Sequence, residues 1–179
     1  MVKPVLIIAG TIPVIFAILL IIPLTNPEIP ITAIDPNDIV EIEFTKHHLT
    51  TVSFGITERL GAQQTEIIII RNNGDIEYTL IEEGSNSTQK TSKIASDKRT
   101  KLIAMIKETG FMAIPFDSFV IKDGIDDFVK YGVKITYNEK TNQLFWPEQE
   151  ATDQLIPPII TEVEIELENI LNSIKGIKP

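Results

Sequence analysis

The chain has no cysteine, two histidines, one tryptophan and only three arginines among its 179 residues. Without cysteine it can build no disulfide framework, thiolate nucleophile, thiolate zinc site or cysteine-held iron–sulfur cluster. Positive charge is scarce as well: 16 Lys and Arg stand against 25 Asp and Glu, a net charge of −9. Affinity for phosphate backbones comes mainly from Lys and Arg, so no nucleic-acid partner is expected. The sequence also lacks a Gly-x-Ser-x-Gly nucleophile elbow and a glycine-rich phosphate loop. No internal repeat stands out. What is present is isoleucine, 33 residues of it, and 13 lysines beside the three arginines. That usage points to an AT-rich, prokaryotic coding genome. The length suits one domain with a short appendage.

The appendage is at the N-terminus. Val5 to Leu24 carries no charged side chain, and sixteen of these twenty residues are Ala, Val, Ile, Leu or Phe. A helix of about twenty residues spans the ~30 Å hydrocarbon core of a bilayer. Pro13 would kink a soluble helix but is tolerated in a membrane span. A cleaved signal peptide usually has a shorter apolar region and a small-x-small site. Here Thr25-Asn26-Pro27-Glu28 follows the run, and Ile31 precedes the nearest alanine, Ala33, by two positions. A buried core helix rarely needs so long an uncharged run. The pattern fits an uncleaved signal anchor over residues 1–24 best. Lys3 precedes the run, and no Lys or Arg follows until Lys46. The positive-inside rule then places the N-terminus in the cytoplasm and the rest outside, in a single-pass arrangement.

Residues 25–37 contain Pro27, Pro30 and Pro36. Prolines at this density oppose helix and central strand and favour an extended spacer. The domain is expected over residues 38–179. Val40, Ile42 and Phe44 alternate with polar residues, which marks a half-buried strand. Thr50 to Gln64 has weak periodicity and two glycines, and reads as loop. Thr65 to Arg71, with four successive isoleucines, reads as a strand. Asn73-Gly74 then signals a type I′ hairpin turn into a return strand from Ile76 to Ile81. Thr91 to Ala95 suggests a short edge strand.

Ser96 is a natural N-cap for a helix whose apolar stripe is Leu102, Ile103 and Ile106, closed by Gly110 with Phe111 packing back. Tyr131, Val133, Ile135 and Tyr137 alternate, and Leu144 to Trp146 continues after a turn as a second hairpin, stopped by Pro147. From Pro158 to about Lys175 the spacing of Ile159, Ile160, Val163, Leu167, Ile170, Leu171 and Ile174 favours a helix over a competing alternating pattern, with only Ile165 off its face. The order of elements implies an α+β fold: an N-terminal transmembrane helix, then an antiparallel sheet packed against two helices on one face.

The segment from Glu66 to Leu171 resembles the DUF6438-type exported domains of unknown function. The matching residues are Asn73-Gly74 with Tyr78, Gly110-Phe111, Asp126 and the Tyr131–Trp146 hairpin. These motifs are structural. The early cysteine-containing segment of that family has no counterpart here, so any role it has does not carry over. The resemblance implies an α+β domain outside the cytoplasm and supplies no activity.

Few residues suggest chemistry. His47 and His48 are adjacent on a strand and point to opposite faces, so they do not readily share a metal. Asp123, Asp126 and Asp127 fall within five residues, a candidate calcium loop without EF-hand spacing. The more economical reading is a turn, with Asp126 accepting backbone N–H bonds. Glu162, Glu164, Glu166 and Glu168 read as a solvated helix face. Asn86-Ser87-Thr88 is a glycosylation sequon in an exterior loop. Phe111, Phe116, Phe119 and Phe128 are core candidates, with room for an exposed partner-binding patch. The expectation is a non-catalytic binding or accessory domain without cofactor. It is held to the membrane by residues 5–24 and has a possible protein partner in a membrane or cell-envelope complex. The alternative is an exported ligand- or calcium-binding domain using the Asp123–Asp127 loop.

Overall fold

A computed structural model describes residues 37–54, 57–114 and 119–176. The expected membrane span and the linker before residue 37 lie outside the described residues. Among the described residues no helix is long and apolar enough to cross a membrane.

The described residues form one antiparallel sheet of six strands. They are β1 (Val40–Phe54), β2 (Thr57–Ile70), β3 (Asp75–Glu82), β4 (Thr88–Lys93), β5 (Asp127–Tyr137) and β6 (Lys140–Pro147). The spatial order is β4-β3-β2-β1-β5-β6, so every neighbour pair except β1–β5 is a sequential hairpin. Helix α1 (Ser96–Glu108) follows β4, and helix α2 (Pro158–Lys175) is the last described element. Both helices lie on one face of the sheet, which is the expected α+β arrangement.

The alternation in β1 does what period two requires: Val40, Ile42 and Phe44 are buried while Glu41 is exposed. The register carries that face across the sheet in transverse rows. One row is Ile76–Ile70–Ile42–Ile135, and the next is Tyr78–Ile68–Phe44–Val133–Leu144. All nine side chains are buried. Leu102, Ile103 and Ile106 of α1 and Ile160, Val163, Leu167, Ile170 and Leu171 of α2 complete the core. Each such side chain contributes about 1.5–3 kcal/mol relative to exposure. Ile165 is 55% exposed, as a helical phase demands.

Among the described residues no helix covers the opposite face. There Gly132 is required sterically: a Cβ would lie 2.6 Å from Thr45 Oγ1 and 2.7 Å from Phe145 Cδ1. The Phe145 ring therefore crosses its neighbour strand at Gly132, and Lys130 Nζ sits 5.4 Å from its centroid.

Four local expectations need correction. Thr50 to Gln64 is not loop: β1 runs on to Phe54 and β2 starts at Thr57. Beyond Thr50 the β1–β5 pairing stops, and β3 pairs with β2 only as far as Gln64. The two strands therefore continue as a two-stranded ribbon. Thr57, Glu58, Arg59 and Leu60 are exposed there, so no inside–outside alternation marks the strand. The Asn73-Gly74 turn is not type I′, because Asn73 does not have positive φ while Gly74 does, at 84°. Gly74 N–H donates to Arg71 O at 2.9 Å and Arg71 N–H to Asp75 O at 2.8 Å, a three-residue loop closed by glycine. Type I′ geometry occurs instead at Asn138 (φ 43°) and Glu139 (φ 70°), between the paired Tyr137 and Lys140. Ser96 is the first helical residue and Ala95 occupies the cap, without a side-chain cap bond. Ile94 N–H is held by Gly74 O at 2.9 Å, which leaves Ala95 as the last extended residue. The edge strand β4 starts at Thr88 and ends at Lys93, rather than covering Thr91 to Ala95.

Candidate functional site

Two places on the helix side of the sheet combine polar groups with shape. The first is an open groove of about 840 Å³ at the end of the sheet where the described chain begins. One wall is the segment that leaves α1. Thr109 caps the helix, Gly110 takes a left-handed φ of 74°, and Phe111 is buried as a plug. Met112, Ala113 and Ile114 then line the groove. The other wall is Tyr137, Lys140, Thr141 and Asn142 around the β5–β6 turn. Asn142 Nδ2 donates to Met112 O at 3.1 Å and ties the walls together. Lys107 lies at the rim.

The groove is braced by Asp38. Its carboxylate accepts from Lys107 Nζ at 2.5 Å, Tyr137 OH at 2.7 Å and Asn138 Nδ2 at 3.0 Å. The bond to Asp38 raises the Lys107 pKa against the opposing effect of burial. Lys107 Nζ also sits 5.3 Å from the Tyr137 centroid. Lys140 is exposed and, among the described residues, has no ion-pair partner. The groove thus offers an apolar floor and one available ammonium group, on a domain that is otherwise acidic.

The second place is a polar row beneath α2. The register aligns Leu80, Glu66, Lys46, Tyr131 and Trp146 across five strands on the core face. Helix α2 answers them. Trp146 Nε1 donates to Glu164 at 2.6 Å, Lys46 Nζ to Glu168 at 2.5 Å, and Lys175 Nζ to Glu66 at 2.7 Å. Tyr78 OH also donates to Glu66, at 3.1 Å. Phe44, Tyr131 and Trp146 stack with centroids 6.1 and 5.9 Å apart, and Lys46 Nζ lies 5.5 Å from the Tyr131 centroid. Lys101 of α1 reaches Glu166 at 2.9 Å, joining the two helices.

Burial raises the Glu164 pKa, with Glu168 and Glu148 adding to the rise and the Trp146 bond opposing it. Burial, then the nearby carboxylates, pushes the Tyr131 and Tyr78 phenols well above their usual range. Among the described residues every buried side-chain nitrogen and oxygen has a partner. These groups are engaged with one another. What the row does chemically is fix where α2 sits.

The expected solvated face of the last helix holds for Glu162, which is exposed, and is corrected for the other three glutamates. Glu164 and Glu168 point at the sheet, and Glu166 is 9% exposed. The signal was present: Lys46 and Glu66 continue the inward positions set by Phe44 and Ile68. A charge at an inward position calls for an opposite charge from the covering element.

The other candidate residues lie elsewhere. His47 is half-buried, its Nδ1 is 2.9 Å from Thr65 Oγ1, and burial followed by Lys130 lowers its pKa. His48 is the next residue of β1 and faces the other way. Asp123, Asp126 and Asp127 are exposed. Asp126 accepts the Thr51 N–H at 2.7 Å through its own backbone carbonyl, and Asp127 begins β5. Among the described residues no three His, Asp or Glu side chains are grouped so as to hold a metal ion. Phe111 and Phe128 are core, Phe119 is half-buried, and Phe116 lies outside the described residues. Asn86 is exposed between β3 and β4. Comparison with known proteins finds no matching family model and no matching curated protein.

Proposed function

We propose that this chain is a membrane-anchored, extracytoplasmic binding or accessory domain without catalytic activity. The observation that carries the binding part is the groove between the α1 exit segment and the β5–β6 turn. Its walls are tied by Asn142, and its rim is braced by Asp38, the first domain residue after the linker. A groove of this kind suits an extended apolar segment of a partner that also carries a carboxylate for Lys140. The anchoring part rests on the uncharged run from Val5 to Leu24 and on the charges around it. Kinship with the DUF6438-type exported domains belongs to the same proposal and rests on the motifs quoted above.

The test is extraction and protease access on intact cells carrying a C-terminally tagged full chain. The proposal expects the protein to stay with membranes in alkaline carbonate and to lose its tag to added protease. A chain released by carbonate, or a tag protected until lysis, would refute the anchored exterior reading.

A further inference from the structure

Asn86-Ser87-Thr88 is the only Asn-x-Ser/Thr sequon in the chain. The sheet topology puts it at a definite place. Strand β1 leaves the end where the described chain begins, β2 returns to it, and β3 leaves it again. The β3–β4 turn therefore lies at the opposite end from the Asp38 brace. The eight residues of β3 separate the two ends by ~26 Å at the usual strand rise.

The local geometry meets what transfer to an amide nitrogen needs. Asn86, Ser87 and Thr88 are all exposed. Among the described residues nothing holds the Asn86 carboxamide, so its Nδ2 faces water. Asn86 and Ser87 belong to neither strand, so bending them into an enzyme cleft breaks no strand pairing. Ser85 N–H donates to Glu82 O at 3.1 Å and closes the tight part of the turn before the sequon. Gly84, at φ 74°, has no atom within 4 Å of where a Cβ would be, so space beside the turn is open. Thr88 begins β4 opposite Leu80, which sets its hydroxyl two residues from the acceptor on a fixed strand end.

We propose that Asn86 is N-glycosylated, an inference that rests on the extracytoplasmic reading of the domain. The donor is an oligosaccharide linked through phosphate to a membrane lipid. Nδ2 forms a bond to the anomeric carbon, the bond from that carbon to the phosphate oxygen breaks, and the lipid phosphate leaves. The proton lost from the amide ends on the departing phosphate oxygen, and nothing is oxidised or reduced.

The test uses the full chain, tagged and expressed in its source cells, then purified from membranes and read by intact and peptide mass spectrometry. The expected result is a hexose-containing mass increment confined to the peptide holding Asn86. It disappears in Asn86→Gln and in Thr88→Ala and persists in Thr88→Ser. An unmodified Asn86 peptide from protein whose tag is protease-accessible on intact cells would overturn the glycosylation alone. A protected tag would instead remove the extracytoplasmic reading on which it rests. An increment that survives Asn86→Gln would also refute the assignment.

Discussion

Two rows on the same face of the sheet solve different problems. Ile76–Ile70–Ile42–Ile135 is wholly apolar, whereas Leu80–Glu66–Lys46–Tyr131–Trp146 is mostly polar. The apolar row stabilises by area, without direction, and would tolerate a helix shifted along it. The polar row has directional partners, so α2 satisfies Trp146, Lys46 and Glu66 together in one placement. Buried ion pairs add little net stability over apolar side chains, yet leaving one partner alone is costly. The contrast teaches that this domain is held together by its isoleucines and has its last helix positioned by its charges.

The largest effect should come from the apolar rows. Phe44→Ala is expected to cost about 3–5 kcal/mol, measured by urea denaturation of residues expressed within the full chain. Next comes a broken pair in the polar row. Glu66→Met leaves Lys175 and Tyr78 without their acceptor and should cost about 3 kcal/mol, reduced by the partial exposure of Lys175. Adding Lys175→Met should recover part of that loss, because the orphaned charge is gone. If the double variant is as unstable as the sum of the singles, the row is not a coupled unit.

A smaller effect is pH-dependent. The Glu164 pKa is raised on folding, so the folded state holds this proton more tightly than the unfolded chain. Its contribution is fully present below the ordinary value of 4.5 and is lost as pH rises through the folded pKa. Glu164→Gln keeps an acceptor for Trp146 and should flatten that fall, seen as melting temperatures that converge at low pH and separate at neutral pH. His47 works in the opposite sense, since its lowered pKa costs stability as pH falls below 6.5. The smallest effect should be at Ile165. Ile165→Gln is expected to change stability by no more than about 0.5 kcal/mol, because that side chain is exposed.

The apolar rows were legible in the sequence; the polar row was not, although Lys46 and Glu66 continue the inward alternation of their strands. Strand alternation located Val40, Ile42 and Phe44, and helical phase located Val163, Leu167 and Ile170, because burial imposes those periods. The β1–β2 ribbon stayed hidden because backbone pairing supports it while both faces meet water. The turn at Asn73-Gly74 misled because a glycine at left-handed φ serves both a two-residue and a three-residue hairpin. Glu164 and Glu168 looked solvated because a carboxylate's partner is set by tertiary register, and Lys46 stands 122 residues from Glu168. The groove could not be read at all. Its walls meet through Asn142 and Met112, 30 residues apart, and no local pattern announces that contact.

The most direct test of the binding account is site-specific photocrosslinking in native membranes. A photoreactive residue at Thr141, inside the groove, is compared with one at Ile165, on the outer face of α2. The account expects a discrete crosslinked product from Thr141, lost when Lys140→Glu is added, and none from Ile165. Equal crosslinking from both positions, or none from Thr141 in membranes that hold the intact chain, would contradict it.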